Sequence, residues 1–405
     1  MAGFFPIFFS QYWSDPNNLS ISTFYLGLGN SIASIIVALL APFLGAIADR
    51  GSYKKRFLIF FAFLGIVMTI GLGFVAQGMW PIALLVYIFA TIGFSGANTF
   101  YDSLLNSVSN KKTVDYVSAL GYALGYLGGG ILIVINFLML SSPESFGLAD
   151  ETAAIQWSFI SVGIWWALFS IPIMLFVEEK RESETKGIVD AVKEGVAQFK
   201  STFNEIRHLK VVATFLLAYW LYIDGVDTTV RMAANFGINL GFGQTSIMGA
   251  LVLVQFVAFF ATLLYVKFSD RVGIKNGIYT AILAYIIIIV GAYFVTEAWH
   301  FYILAGLIGC FQGGIQTLSR SLYSRIIPKN KSAEFFGFFN MWGKFAAVFG
   351  PLLMGSVTVL INNAIADQEL AARIGFQSII ILLLLGAYVF SKVDLVEGEA
   401  MAKKL

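Results

Sequence analysis

A chain of 405 residues that is 58% hydrophobic and 12% charged, with 39 Phe and 39 Gly and a mean hydropathy of +0.79, is too apolar for a water-soluble enzyme. Its composition is that of apolar helices packed closely in a bilayer. One cysteine, Cys310, excludes an internal disulfide, two histidines, His208 and His300, exclude a histidine-rich metal centre, and a formal net charge of +2 does not point to nucleic acid.

Crossing a hydrocarbon core of about 30 Å takes roughly 20 apolar residues. Eleven runs reach that length: Ser22 to Ala48, Phe57 to Ala76, Pro81 to Leu105, Val114 to Leu140, Ala153 to Val177, Val211 to Phe236, Ser246 to Phe268, Gly277 to Val295, Phe301 to Leu322, Phe335 to Ile361 and Ile374 to Ser391. Outside these spans every Lys and Arg except Arg373 falls on one side, which makes that side, and the C-terminus with it, cytoplasmic. The stretch "SQYWSDPNN" is then expected outside. Ala2 to Phe9, apolar but too short to span, is expected to be the outer half of a twelfth helix whose inner half is missing, or else a terminus in a wet central cavity.

The longest polar stretch separates the sixth and seventh of these twelve spans. It divides the chain into an N-terminal bundle (1–177), a linker (178–210) and a C-terminal bundle (211–405). Within the linker Ile188, Val192, Val196, Phe199, Phe203 and Ile206 recur at helical spacing and predict an amphipathic helix on the cytoplasmic membrane face, or a solvated linker helix. The halves echo each other: "GAIADRG" from Gly45 matches "VKFSDRVG" from Val266. At nearly the same offset "YDSLL" from Tyr101 matches "SRSLY" from Ser319, which sets Asp102 against Arg320 and Gly125 against Gly343.

Between the first two complete spans, "GAIADRGSYKKR" resembles the loop joining the second and third helices in the major facilitator superfamily. Gly45 would permit close helix approach, and Asp49 and Arg50, with Asp270 and Arg271 as their echo, are candidates for a charge-linked conformational latch. A purely topogenic basic loop is the alternative. The run "GYALGYLGGG" from Gly121 is similar to a glycine motif of antiporters in that superfamily, with Tyr126 where that motif has proline. Tight packing explains its glycines equally well.

Ionisable residues inside spans are costly and are candidates for function. Leaving aside Asp115 and Lys267, each next to a span end, there are three acids, Asp102, Asp224 and Asp227, and three bases, Arg231, Arg320 and Lys344. Asp224, Asp227 and Arg231 share one helical face, where an Asp227 to Arg231 ion pair is the simplest structural reading. Asp224 lies about 20 Å along its helix, near mid-bilayer, and is the leading candidate for a proton-titrating or amine-binding carboxylate. Gln312, Gln316 and Arg320 form one polar stripe, Asn340 and Lys344 a second, and Asn98, Asp102 and Asn106 a third, with Tyr101 alongside. Lipid offers such stripes no partner, so they predict an aqueous cavity. An Arg or Lys for a carboxylate, opposite acids for an amine, would suit a zwitterion such as an amino acid.

Three blocks, "YIDGVDTTVRMAANFG" from Tyr222, "GCFQGGIQTLSRSLYSRIIP" from Gly309 and "KSAEFFGFFNMWGKFAAVFGPLLMG" from Lys331, resemble the vacuole-effluxer-like branch of the major facilitator superfamily. The resemblance implies an all-α membrane protein with the major facilitator fold: two six-helix bundles of pseudo-two-fold symmetry, the first helix truncated. It also implies alternating access, with amino-acid efflux as the activity proposed for fungal relatives, and it places weight on Asp224, Gly225, Gln312, Gln316, Ser319, Arg320, Glu334, Asn340 and Lys344. Asp102 and Asp227 stand where uncharged amides are expected, and the family's opening Tyr-Asp-Trp-Ala-Asn type stretch is lacking. The expected activity is gradient-driven transport of a small solute, coupled to H+, by a monomer in a bacterial inner membrane. No catalytic residue, cofactor or metal is expected, because no nucleotide-binding loop or nucleophile-base set occurs. A non-transporting sensor or scaffold, or a carrier of lipid or peptide, is the alternative.

Overall fold

A computed structural model describes residues 5, 8–14, 19–51, 53–179 and 209–404. The amphipathic stretch expected from Ile188 to Ile206 lies outside them, and so do the side chains of Arg50 and Lys344. Among the described residues the chain is helical and has no strand. Among those residues nine helices are long and apolar enough to cross a membrane, with two shorter apolar helices over Ile35–Asp49 and Phe349–Ile365.

The helices are α1 (Leu19–Gly51), α2 (Lys54–Leu72), α3 (Trp80–Val108), α4 (Val114–Ser141), α5 (Glu151–Phe176), α6 (Lys210–Asn239), α7 (Gln244–Val272), α8 (Ile274–Ala292), α9 (Ala298–Ile326), α10 (Ser332–Ile365), α11 (Gln368–Gln377), α12 (Ile380–Ser391) and α13 (Leu395–Lys404). Their contacts separate two units. Unit 1 holds residues 1–108, 132–200 and 330–341, and unit 2 holds 109–131, 201–329 and 342–405. The first half of α4 therefore packs with the later helices, and the start of α10 with the earlier ones.

In unit 1, α2 packs along α3 and α5, and α3 along α1. Gly65 and Gly93 set the α2–α3 distance: a Cβ on Gly93 would lie 2.6 Å from the Gly65 Cα, so the two backbones meet, as small residues permit between helices in lipid. Before α1, Phe9–Trp13 forms a single π-helical turn. Trp13 is fully buried: its indole stacks on Phe159 at 5.8 Å between centroids and its Nε1 donates to Val75 O at 3.1 Å. An aromatic with a satisfied N–H is stable inside such a core, and Phe5, Phe8 and Phe9 join it there.

In unit 2, α7 packs on α9, α6 on α12, and α8 on α9. The final span is broken into α11 and α12, with Asp367 capping Leu370 N at 2.9 Å. At the break the Ser378 hydroxyl donates to Gly375 O at 2.6 Å and its N–H is shared between Ile374 O and Gly375 O. Serine back-bonding of this kind competes with the helical ladder and bends it.

Candidate functional site

Unit 1 contains two polar clusters. At the end of α1, Asp49 has a side chain only 4% exposed, 2.7 Å from Lys54 Nζ. Its oxygens accept the N–H groups of Ala333 at 3.1 Å and Glu334 at 2.9 Å. These amides belong to the first turn of α10 and have no acceptor within their own helix. The carboxylate also meets the positive end of that helix's dipole. Lys54 Nζ donates to Ser332 Oγ at 2.9 Å, while the backbone N–H groups of Lys54 and Lys55 bind the Glu179 carboxylate at 3.0 and 3.2 Å. The backbones touch here: a Cβ on Gly45 would strike Ala333 and Glu334, and one on Gly337 would sit 2.6 Å from Pro42 Cα. The loop of Gly45 and Asp49 thus clasps the start of α10. Its echo differs, since Asp270 and Arg271 stand exposed at the end of α7.

The second cluster joins two residues singled out above. Asp102, 8% exposed on α3, accepts from Asn340 Nδ2 at 3.2 Å, and the same Nδ2 donates to Phe336 O at 3.0 Å.

Unit 2 gathers most of the other candidates. Asp224 is 1% exposed; both its oxygens accept the Gly350 N–H, at 3.0 and 3.1 Å, and Oδ1 also accepts the Thr228 hydroxyl at 3.1 Å. Gly350 precedes Pro351, which interrupts the hydrogen-bond ladder of α10. The acid therefore braces a proline break. Asp227 and Arg231, one turn apart on α6, form a long pair at 3.9 Å, with Arg231 56% exposed.

Arg320 lies on α9 and is 4% exposed. Its Nε donates to Ser118 Oγ at 3.0 Å and a terminal nitrogen to Ser118 O at 2.7 Å, while the guanidinium lies 4.2 Å over the ring of Tyr122. One turn away Gln316 Oε1 accepts the Tyr126 hydroxyl at 2.5 Å, and Tyr222 meets Ser319 at 2.7 Å. Of the α4 glycines, Gly125 faces open space, whereas a Cβ on Gly129 or Gly130 would press against Gln255.

A second clasp is absent from the sequence-based expectations. At the start of α4 Asp115 binds Arg325 at 2.5 Å and accepts the Ser321 hydroxyl. The signal is present in the sequence: Asp115, Ser118 and Tyr122 line one face of α4, and Ser321 and Arg325 are one turn apart on α9. Counting charges by side places both in a basic cytoplasmic rim and hides the pair. Among the described residues there is no group of three or more metal-binding side chains.

The sequence matches the family described as vacuole effluxer Atg22 like over residues 17–114 and 105–403. The chain belongs to this family. Among its relatives is an uncharacterized MFS-type transporter, YxiO, of Bacillus subtilis (strain 168), 38% identical over 365 residues that cover 89% of this chain and 84% of that protein. Autophagy-related protein 22 of Kluyveromyces lactis is 23% identical over 99% of this chain and 84% of its own length. The fold is similar to that of the proton:xylose symporter XylE, with a TM-score of 0.73 at 14% identity over 98% of this chain and 94% of that one. The E. coli fucose:proton symporter FucP gives 0.60 at 14% over 95% and 97%. This effluxer-family chain is accordingly a multi-pass membrane protein of the major facilitator fold, and a transporter of MFS type.

Proposed function

We propose that the chain is a secondary transporter that exports a small solute, amino acids first among the candidates, from the cytoplasm of a bacterial cell in exchange for protons. The observation that supports coupling most directly is Asp224. A carboxylate 1% exposed, held by the Gly350 N–H beside Pro351, gives protonation a mechanical consequence: the neutral acid grips that N–H less strongly, and the break in α10 is released to bend. Proton binding is thereby tied to helix geometry.

Alternating access needs contacts that hold one state and part in the other. The Asp49–Lys54 clasp on α10 and the Asp115–Arg325 clasp on α9 meet that need. Each joins a helix from the first half of the sequence to one from the second, at ends that the basic loops assign to the cytoplasm. The clasps would hold the cytoplasmic path shut and open when the solute is taken from inside. Asp102 with Asn340 adds a polar contact between α3 and α10.

The test is flux in proteoliposomes of the purified chain, screened over amino acids with and without an imposed pH gradient. Transport driven by the gradient in the parent protein, with the gradient's effect lost in Asp224→Asn, supports the reading. No solute moving faster than in empty vesicles, or full coupling retained in Asp224→Asn, overturns it.

A further inference from the structure

Within unit 2, Tyr126 on α4, Asp227 on α6 and Tyr285 on α8 lie within electrostatic range of one another, and Gln312 lies on the same face of α9 as the glutamine that meets Tyr126. The hub is Tyr126. Its hydroxyl donates to Gln316 Oε1, which leaves its own oxygen able to accept, and Asp227, Tyr122 and Tyr285 all lie within electrostatic range of it. Tyr285 is completely buried on α8, close enough to Asp227 to feel its charge, and its hydroxyl has no hydrogen-bond partner. Gln312, one turn from Gln316 on the same face, buries an Oε1 that likewise has no partner. Depth agrees as well. At 1.5 Å per residue Asp227 is about 25 Å from the start of α6, and Gln312 about 20 Å from the start of α9, which runs the opposite way, so the two lie at similar levels.

Buried polar atoms left without partners are uncommon and mark a place for something else. The two here are an acceptor and a hydroxyl able to accept, the hydroxyl within electrostatic range of the Asp227 carboxylate. The cationic group nearest to serving as an anion anchor, Arg320, is engaged by Ser118 and the Tyr122 ring. What such a set of acceptors suits is a compact cation with several N–H donors.

We propose that Asp227, Gln312, Tyr285 and Tyr126 form a receptor for a protonated primary amine, which binds by its ammonium group and needs no carboxylate. The inference rests on the transporter reading above and names the part of the solute that this chain grips. The ammonium donates to the Asp227 carboxylate, to Gln312 Oε1 and to a tyrosine oxygen, three acceptors for three N–H bonds, with the aromatic faces around it adding cation–π attraction.

The experiment is titration calorimetry at neutral pH on the full chain in detergent, with butylamine, butyrate, 2-aminobutyrate and butyltrimethylammonium as probes. Butylamine and 2-aminobutyrate are expected to bind and butyrate not to. Butyltrimethylammonium carries the charge without N–H donors and is expected to bind about tenfold more weakly than butylamine. Asp227→Asn should weaken butylamine about tenfold or more, and Tyr285→Phe about fivefold. Tyr285→Phe removes one oxygen from a core position and keeps the test open if the Asp227 variant does not fold. Butyrate binding without butylamine, no heat from either amine, equal affinity for the trimethyl probe, or butylamine binding unchanged in both variants overturns the proposal. Because binding is read at equilibrium, a loss of amine binding with pH-driven flux intact removes the subsite and leaves the transporter reading standing.

Discussion

The clasp at Asp49 yields a prediction with a magnitude. In Asp49→Ala the first-turn amides of Ala333 and Glu334, bound at 3.1 and 2.9 Å, lose the acceptor they have outside their own helix, and Lys54 loses its partner at 2.7 Å. A hydrogen bond to a charged group contributes about 1.5 to 3 kcal/mol and an N-cap about 1 kcal/mol. The two bonds share one carboxylate and do not add fully, so the loss is about 2 to 4 kcal/mol. If the start of α10 exchanges through local opening, its amides should then exchange about 30- to 1,000-fold faster. Hydrogen exchange read by mass spectrometry on a peptide covering 332–341 measures this directly. Asp49→Asn keeps one acceptor oxygen and no charge, and should fall between the parent and the alanine variant. Exchange at 332–341 within twofold of the parent in Asp49→Ala, or acceleration spread evenly over every peptide, would refute the assignment of the carboxylate as the anchor of this helix end.

The second clasp should behave more weakly: Asp115 and Arg325 are 16% and 22% exposed, so a double-mutant cycle with Asp115→Asn and Arg325→Gln on thermal unfolding is expected to give a coupling of about 1 kcal/mol, and a value near zero would make the pair incidental. Gly93→Ala forces a Cβ to 2.6 Å from Gly65 Cα; overpacking two helix backbones should cost about 1 to 3 kcal/mol and lower Tm, while Gly125→Ala, with open space for the added methyl, should leave Tm within about a degree or two.

Sequence makes the span pattern legible because hydropathy over some 20 residues is a strong, local and redundant signal. The close backbone approach at Gly45 is legible too, since a small residue beside a helix end is a local feature. The Ser378 break is hidden because a serine within an apolar run has no net hydropathy signature, and its bend depends on which carbonyl the hydroxyl reaches. The burial of Trp13 is hidden for a related reason. Flanking Ser, Asp and Asn read as an outer loop, while the indole's partner, Val75 O, lies 62 residues away and nothing local announces it. For Asp115 and Arg325, sign and side are legible locally, but the meaning lies in their pairing across 210 residues.

The six intramembrane charges sum to zero, and that balance invites the expectation that they pair with one another or with the two ends of a zwitterion. Neutral groups meet three of them. Asp224 accepts a backbone N–H and a hydroxyl, Asp102 an amide, and Arg320 donates to a serine and lies on an aromatic ring. Neutral dipoles fixed by the fold can solvate a buried charge without the second desolvation that a counter-ion brings. The consequence reaches the substrate. An arginine already solvated in this way gains little by binding a carboxylate, since the new bond replaces existing ones. In the amine receptor proposed above, Asp227, 3.9 Å from Arg231, takes a charge-assisted contact from the ammonium. Charge balance alone favours both ends of an amino acid equally. The proposed receptor favours its amine.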